Sequence, residues 1–257
     1  MSHATPPDAD LLLPLRDRTI LVTGGSRGIG AATVRALYRD GATVVLSYGS
    51  NKEAARAVAT SLGERVLLLH ADLAVPGSAD RLWDEALAAA GSVDVLVNNA
   101  GAWLASPLDD DDAWRTGWAR NLALNLQSCA DLSRRAIQHF QARGGGIIVN
   151  VTSRSAHRGD DPDHLAYGAA KGGLLSLTKG IARGFARDGV LAYAVAPGWV
   201  GTELAADHLA ATDTSALPLG EPTPPEDVAE VIAFLASGRS RHSTGTTIDI
   251  TGADYVR

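Results

Sequence analysis

The chain holds a single cysteine, Cys129, among its 257 residues. No disulfide can close within it, and a reducing, cytoplasmic setting is expected. No run approaches the roughly 18 consecutive apolar residues of a membrane-crossing helix, so no such helix is predicted. Positive charge is not in excess either: 23 Lys and Arg face 29 Asp and Glu, a formal charge of -6. Nucleic acid as a main partner needs a basic face and is not expected. The opening stretch MSHATPPDADLLLPLRDR has no basic segment ahead of a long apolar core and does not read as a signal peptide. Its prolines and acids predict a flexible arm over residues 1–16. Two absences are local and more telling. The chain lacks the G-x-G-x-x-G spacing of the generic dinucleotide fingerprint, and no carboxylate stands at the end of its second predicted strand.

What is present is ordinary in bulk, with 46% apolar and 20% charged residues. Residues 17–257 suit one domain. Short β-branched runs occur at 19–25, 42–48, 65–71, 93–101, 144–153, 190–198 and 246–252, separated by helical patterns that include a long one over 117–143. That alternation predicts an α/β fold, a single doubly wound Rossmann-like domain with a mostly seven-stranded parallel sheet. In such folds a ligand sits outside the carboxyl ends of the strands.

The first strand end reads TGGSRGIG, with Gly24, Gly28 and Gly30 spaced x3 and x1. Glycines let a backbone approach a pyrophosphate, and the following helix N-terminus favours its charge. A tight turn alone would also use glycines. The second strand ends Ser47-Tyr48-Gly49-Ser50-Asn51, without the acid that accepts from a ribose 2′-hydroxyl. Arg27 instead offers a guanidinium that pairs with a 2′-phosphate, which predicts NADP(H) over NAD(H). Asp72, with Leu73 beside it, is placed to meet an adenine amino group or simply to cap a turn. Asn99-Ala100-Gly101 follows the fourth strand with small residues and amides.

Tyr167 and Lys171 are four apart in a helical run and lie on one face. A free tyrosine, of pKa about 10, is a poor proton carrier at neutral pH. A cation roughly 4 Å away at an effective dielectric near 20 contributes about 4 kcal/mol, or about three pKa units. The pair is therefore either a tunable acid and base or a surface tyrosine packed over a lysine stem.

Taken in order, TGGSRGIG, HADL, NNAG, an asparagine in the long helix, NVTS, YGAAK and APGWVGTEL resemble the short-chain dehydrogenase/reductase family from Thr19 to Gly252. The resemblance is greatest to members like the β-ketoacyl-carrier-protein reductases. It implies an NADP(H)-dependent oxidoreductase that interconverts a ketone, such as a 3-oxoacyl thioester, and a secondary alcohol. By position it implies a catalytic set of Asn125, Ser153, Tyr167 and Lys171. Ser153 would hold the substrate oxygen, Tyr167 would exchange its proton, and Lys171 would lower the tyrosine pKa and grip the nicotinamide ribose. Asn125 would hold a linking water; it is preferred to Asn121 because LNLQS matches the family pattern. The implied cofactor contacts are Gly24, Ser26, Arg27, Gly28, Ile29, Gly30, Asp72, Leu73, Asn99, Ala100, Gly101, Tyr167, Lys171, Pro197, Gly198, Val200 and Thr202. A substrate lid is expected over about 203–224, and a homotetramer through helices near 117–142 and 165–187. The competing readings are an NAD-dependent alcohol or sugar dehydrogenase and a dinucleotide-binding sensor without turnover.

The chain departs from the family at several places. The loop between Ser153 and Tyr167 carries His157, Arg158, Asp160, Asp161, Asp163 and His164. It could bind metal, but the mechanism needs none and a solvated polar loop is expected. Trp103 and Trp199 are candidates for substrate walls or for core packing. Gly184, Leu191, Tyr193 and the TGAD of 251–254 replace residues usual in relatives.

Overall fold

The computed structural model describes residues 13–205, 210 and 213–257. Seven parallel strands form one sheet in the order β3-β2-β1-β4-β5-β6-β7. They are β1 (Thr19–Val22), β2 (Thr43–Tyr48), β3 (Val66–His70), β4 (Val95–Asn98), β5 (Gly146–Val151), β6 (Val190–Pro197) and β7 (Thr247–Ile250). The helices are α1 (Gly28–Arg39), α2 (Lys52–Leu62), α3 (Ser78–Ala90), α4 (Asp111–Leu122), α5 (Ser128–Arg143), α6 (Leu165–Phe185) and α7 (Pro225–Ala236). Fold class and strand positions match the sequence expectation.

The inner strands are buried on both faces, which is why they read as apolar runs rather than alternating ones. Ile20, Val22, Val95, Val97, Val149 and Val195 pack with residues of α1, α2 and α7. Leu21, Leu96, Ile148 and Ala192 point the other way, onto Trp83 of α3, Phe140 of α5 and Ile181 of α6. Strand order reverses between β1 and β4, so their carboxyl ends diverge and open a crevice.

Three local departures from the sequence reading have simple causes. Leu15, placed in the expected arm, is fully buried, and its N–H donates to the Asp40 carbonyl at 2.9 Å; residues 1–12 of that arm lie outside the described residues. The long helix begins earlier than 117, because Asp110 caps the N-H groups of Asp112 and Ala113 at 3.0 and 2.9 Å. The acidic run 109–112 is thus a helix start. Between α4 and α5 the helix widens into a π segment, Ala123–Gln127. No residue type in ALNLQ signals that bulge.

Candidate active site

One cleft of about 820 Å³ runs along the carboxyl ends of the strands, and every residue expected to be catalytic or to touch cofactor lines it. At one end is the glycine loop. Gly24 and Gly28 are left-handed, at φ 65° and 51°, a conformation that costs a side-chain-bearing residue about 1–2 kcal/mol. A Cβ on Gly30 would stand 2.0 Å from the Gly24 carbonyl oxygen and 2.6 Å from the Asn99 side-chain nitrogen. Only glycine fits there. The α1 N-terminus carries no side-chain cap, leaving its first amides to an anion. These features suit a dinucleotide pyrophosphate.

The loop is held from β4. Thr23 Oγ1 accepts from the N–H groups of Asn99 and Ala100 at 3.0 and 2.9 Å, and Asn99 Nδ2 donates to the carbonyls of Thr23 and Gly24 at 2.9 and 3.1 Å. Asn99 therefore fastens the glycine loop across the sheet's reversal point. Its neighbour Asn98 points into the protein, donating to Asn150 Oδ1 at 2.8 Å, while Asn150 donates to Thr178 Oγ1 of α6 at 2.8 Å. This buried chain ties the Tyr167 helix to the sheet. Asp72 is exposed and accepts from the Ala74 N–H at 3.1 Å, so it caps a turn while facing the cleft.

At the other end stand Ser153, Tyr167, Lys171 and Asn125. Ser153 follows β5 and accepts from the Ser155 N–H at 3.1 Å. Tyr167 and Lys171 are successive turns of α6, with the lysine nitrogen 5.7 Å from the tyrosine ring centre. Lys171 is buried and donates to the Val151 carbonyl at 2.9 Å. Asn125 sits on the π segment, donating to the Ala102 carbonyl at 2.9 Å and accepting from the Ala102 N–H at 3.2 Å. Asn121 lies behind it and accepts from Asn125 at 3.1 Å. The cleft is lined by Asn125 and not by Asn121. The extra residue of the π turn swings Asn125 toward the cleft, a common use of such bulges.

The tyrosine's acidity differs from the sequence expectation. Burial pushes the Tyr167 phenol up to about 12; the Ser153 hydrogen bond opposes this and the Asp160 carboxylate adds to it. The expected lowering toward neutral pH by Lys171 is therefore absent here. The largest cause is burial of the phenol, and the Lys171 ammonium is bonded to the Val151 carbonyl. Burial also holds the Lys171 pKa below its usual value.

A family model described as enoyl-(acyl carrier protein) reductase matches residues 24–252. The chain belongs to the short-chain dehydrogenase/reductase family. It is 39% identical to a cis-4-hydroxycyclohexanecarboxylate dehydrogenase of Sinomonas cyclohexanicum, over 92% of this chain and 96% of that one. It is 36% identical to a 3beta-hydroxysteroid dehydrogenase 1 of Eggerthella lenta, over 93% and 94%. Among solved structures, a 3-oxoacyl (acyl-carrier-protein) reductase from Agrobacterium tumefaciens C58 with NADP bound superposes with a TM-score of 0.86, at 34% identity over 96% and 97% of the chains. The family consists of oxidoreductases that bind a nicotinamide dinucleotide.

Several short-chain dehydrogenase/reductase cleft residues escaped sequence reasoning. Ser50, Asn51 and His70 line the glycine-loop end, and Arg120, Leu124 and Arg154 the other. Arg154 could have been suspected as the neighbour of Ser153; the rest gave no pattern. Trp103 stacks on His164 at 3.7 Å between ring centres and meets Trp199 edge-on at 5.7 Å. Both tryptophans are half-buried and line the cleft. Among the described residues no group of three or more His, Cys, Asp or Glu could hold a metal ion. The polar loop is engaged locally instead, with His164 Nδ1 2.7 Å from Asp161. Part of the stretch where a lid is expected, 206–209 and 211–212, lies outside the described residues; near its end, Thr223 N–H donates to the Trp199 carbonyl at 2.8 Å. No helix among the described residues is long and apolar enough to cross a membrane.

Proposed function

We propose that the chain is an NADP(H)-dependent reductase of a ketone, such as a 3-oxoacyl thioester, giving a secondary alcohol. The observation that carries this reading is the convergence of Ser153, Tyr167, Lys171 and Asn125 at one end of a cleft whose other end is the glycine loop. Ser153 donates a hydrogen bond to the substrate carbonyl oxygen and polarises it. Tyr167 Oη gives that oxygen its proton. Burial keeps the phenol protonated at neutral pH, so the proton is in place, while a pKa nearer the working pH would make it a stronger donor. Lys171, anchored by Val151, has further N–H groups for the ribose hydroxyls, and Asn125 holds the water that relays protons to it. The dinucleotide, when bound, supplies the hydride in reduction and accepts it in oxidation.

The reading fixes the pH dependence. A phenol whose pKa lies well above 7 is the correct acid over the whole neutral range, whereas alcohol oxidation needs the phenolate. Reduction is expected to hold level from about pH 6 to 9 while oxidation rises about tenfold per pH unit, in steady-state profiles with a fixed substrate pair. A reduction rate that falls through pH 7 counts against Tyr167 as the acid in this state.

Preference for NADP(H) is inferred from Arg27 and the lack of an acid after β2. Arg27 Nη1 lies 2.7 Å from Glu203 Oε2, with the two side chains 60% and 74% exposed. An exposed pair of this kind is worth about 0–1 kcal/mol, so a phosphate displaces Glu203 readily. Arg27→Ala is expected to weaken NADPH about tenfold or more and NADH little, since a charge-assisted bond contributes roughly 1.5–3 kcal/mol. Glu203→Gln should tighten NADPH modestly. Titration of both cofactors by fluorescence checks this, and equal losses for NADPH and NADH refute the phosphate role.

A second reading, dehydrogenation of a cyclic alcohol, is favoured by the Trp103 and Trp199 faces that line the cleft, Trp103 being stacked on His164. Flat aromatic faces pack against an alicyclic ring with little entropy loss. A panel of ketoacyl thioesters, cyclic ketones and cyclic alcohols, run with both cofactors and followed at the nicotinamide absorbance, separates the two. Tight cofactor binding with no turnover on any of them would favour a sensor. We also infer a cytoplasmic homotetramer assembled through the helices over 117–142 (α4 and α5) and 165–187 (α6). Gly180 and Gly184 leave open space on α6, which supports close helix approach.

A further inference from the structure

We propose that the segment following β7 completes the substrate end of the cleft, with Asp254 holding Arg154 under Trp199 and so positioning Ser153. This rests on the reductase reading above and adds two positioning residues to it.

Arg154 follows Ser153 directly and is 6% exposed at its side chain. Its guanidinium lies 4.8 Å from the centre of the Trp199 ring and forms an ion pair with Asp254. Burying a guanidinium is costly unless a carboxylate and hydrogen bonds satisfy it, and removing one partner of a buried pair leaves an uncompensated charge. The other charges facing it are Arg158, which repels it, and Asp160, which attracts it. Asp254 is thus the partner supplied from outside the Ser153 loop.

The backbone supports the same connection. Arg154 N–H donates to the Pro197 carbonyl at 3.0 Å, and Gly198 N–H donates to the Ile250 carbonyl at 2.9 Å. A Cβ on Gly198 would stand 3.0 Å from Thr251 Cα. The Ser153 loop, the β6 exit and the chain after β7 are therefore zipped together beyond the strand ends. Immediately before Asp254, Ala253 is left-handed at φ 64°. Strain of about 1–3 kcal/mol at such a residue persists only where its surroundings enforce it. Here they do so from both sides. Thr251 Oγ1 donates to the Tyr255 carbonyl at 3.0 Å, and Arg257 lies 2.8 Å from Asp249 Oδ2 and donates to the Thr247 carbonyl at 3.1 Å. The Tyr255 ring stacks on His157 of the Ser153 loop, 6.2 Å between centres. The TGAD departure from the family thus falls where the strain and the partner carboxylate coincide.

The test compares wild type, Asp254→Asn, Arg154→Met and the double variant. Amide hydrogen exchange is read over 153–158, together with kcat, KM for one carbonyl substrate, and NADPH affinity. Asp254→Asn should speed exchange over 153–158 about tenfold while β5 amides keep their protection, a change of about 1.4 kcal/mol in local opening. It should lower kcat and leave NADPH affinity within about twofold, and the double variant should be no worse than Arg154→Met, as expected of residues acting as one unit. Arg154→Lys, which keeps the charge, should recover part of the loss and replaces Arg154→Met in the cycle if the latter does not fold. Unchanged exchange over 153–158 in Asp254→Asn, or additive losses in the double variant, overturns the proposal. If wild type turns over no substrate, the reductase reading fails and the exchange data alone decide the tie.

Discussion

Tyr167→Phe lowers kcat for carbonyl reduction by about 10²–10⁴-fold, the usual worth of a positioned general acid, and leaves NADPH affinity nearly unchanged. The substitution removes one oxygen and keeps the ring that packs over Lys171, whose nitrogen lies 5.7 Å from the ring centre. Because the phenol is held protonated by burial, its loss withdraws the proton itself rather than altering the charge of the cleft. The proposed cofactor contacts of Lys171 and the glycine loop are untouched by the substitution. Single-turnover rates with NADPH, paired with a fluorescence titration, separate the two quantities. Activity within a few-fold of wild type would remove Tyr167 from the mechanism.

Gly30→Ala is expected to weaken dinucleotide binding about 100-fold while leaving a folded protein. A methyl group would stand 2.0 Å from the Gly24 carbonyl oxygen, a backbone atom that cannot turn aside, and 2.6 Å from Asn99 Nδ2. Relief requires the loop to move away from Asn99, breaking bonds of 2.9 and 3.1 Å to the Thr23 and Gly24 carbonyls. Overpacking of this kind costs typically 1–3 kcal/mol, and about 2.7 kcal/mol corresponds to 100-fold in affinity. The cost falls on the surface that would cradle the pyrophosphate. Calorimetric titration with NADPH and a thermal melt of the free protein check both halves. Undiminished affinity would mean that the loop does not contact the cofactor.

The contrast between these two sites shows how legible each was. Tyr167 and Lys171 were readable because helical geometry alone sets residues four apart on one face. Gly30 was readable as part of a glycine-rich strand-to-helix turn, although the spacing lacks the generic dinucleotide fingerprint. The acidity of Tyr167 was not readable. It depends on how much water the cleft excludes from the phenol and on Ser153 and Asp160, residues from other elements.

By itself, the sequence determined the seven-stranded sheet and its parallel sense, which follow from periodicity and strand-to-helix alternation, properties of neighbours along the chain. The set of residues that meet along its carboxyl edge came from the resemblance of its motifs to the short-chain dehydrogenase/reductase family. Only the tertiary structure shows the π turn on which Asn125, preferred to Asn121 from the family pattern, faces the cleft; no residue type announces that turn. The same holds for Asn98, which anchors α6 instead of facing the cleft. It holds also for Arg154, which meets a carboxylate one hundred positions further along the chain. Such contacts are fixed by packing across the sheet, where partners distant in sequence are brought together by burial and hydrogen-bond satisfaction, and local pattern carries no record of them.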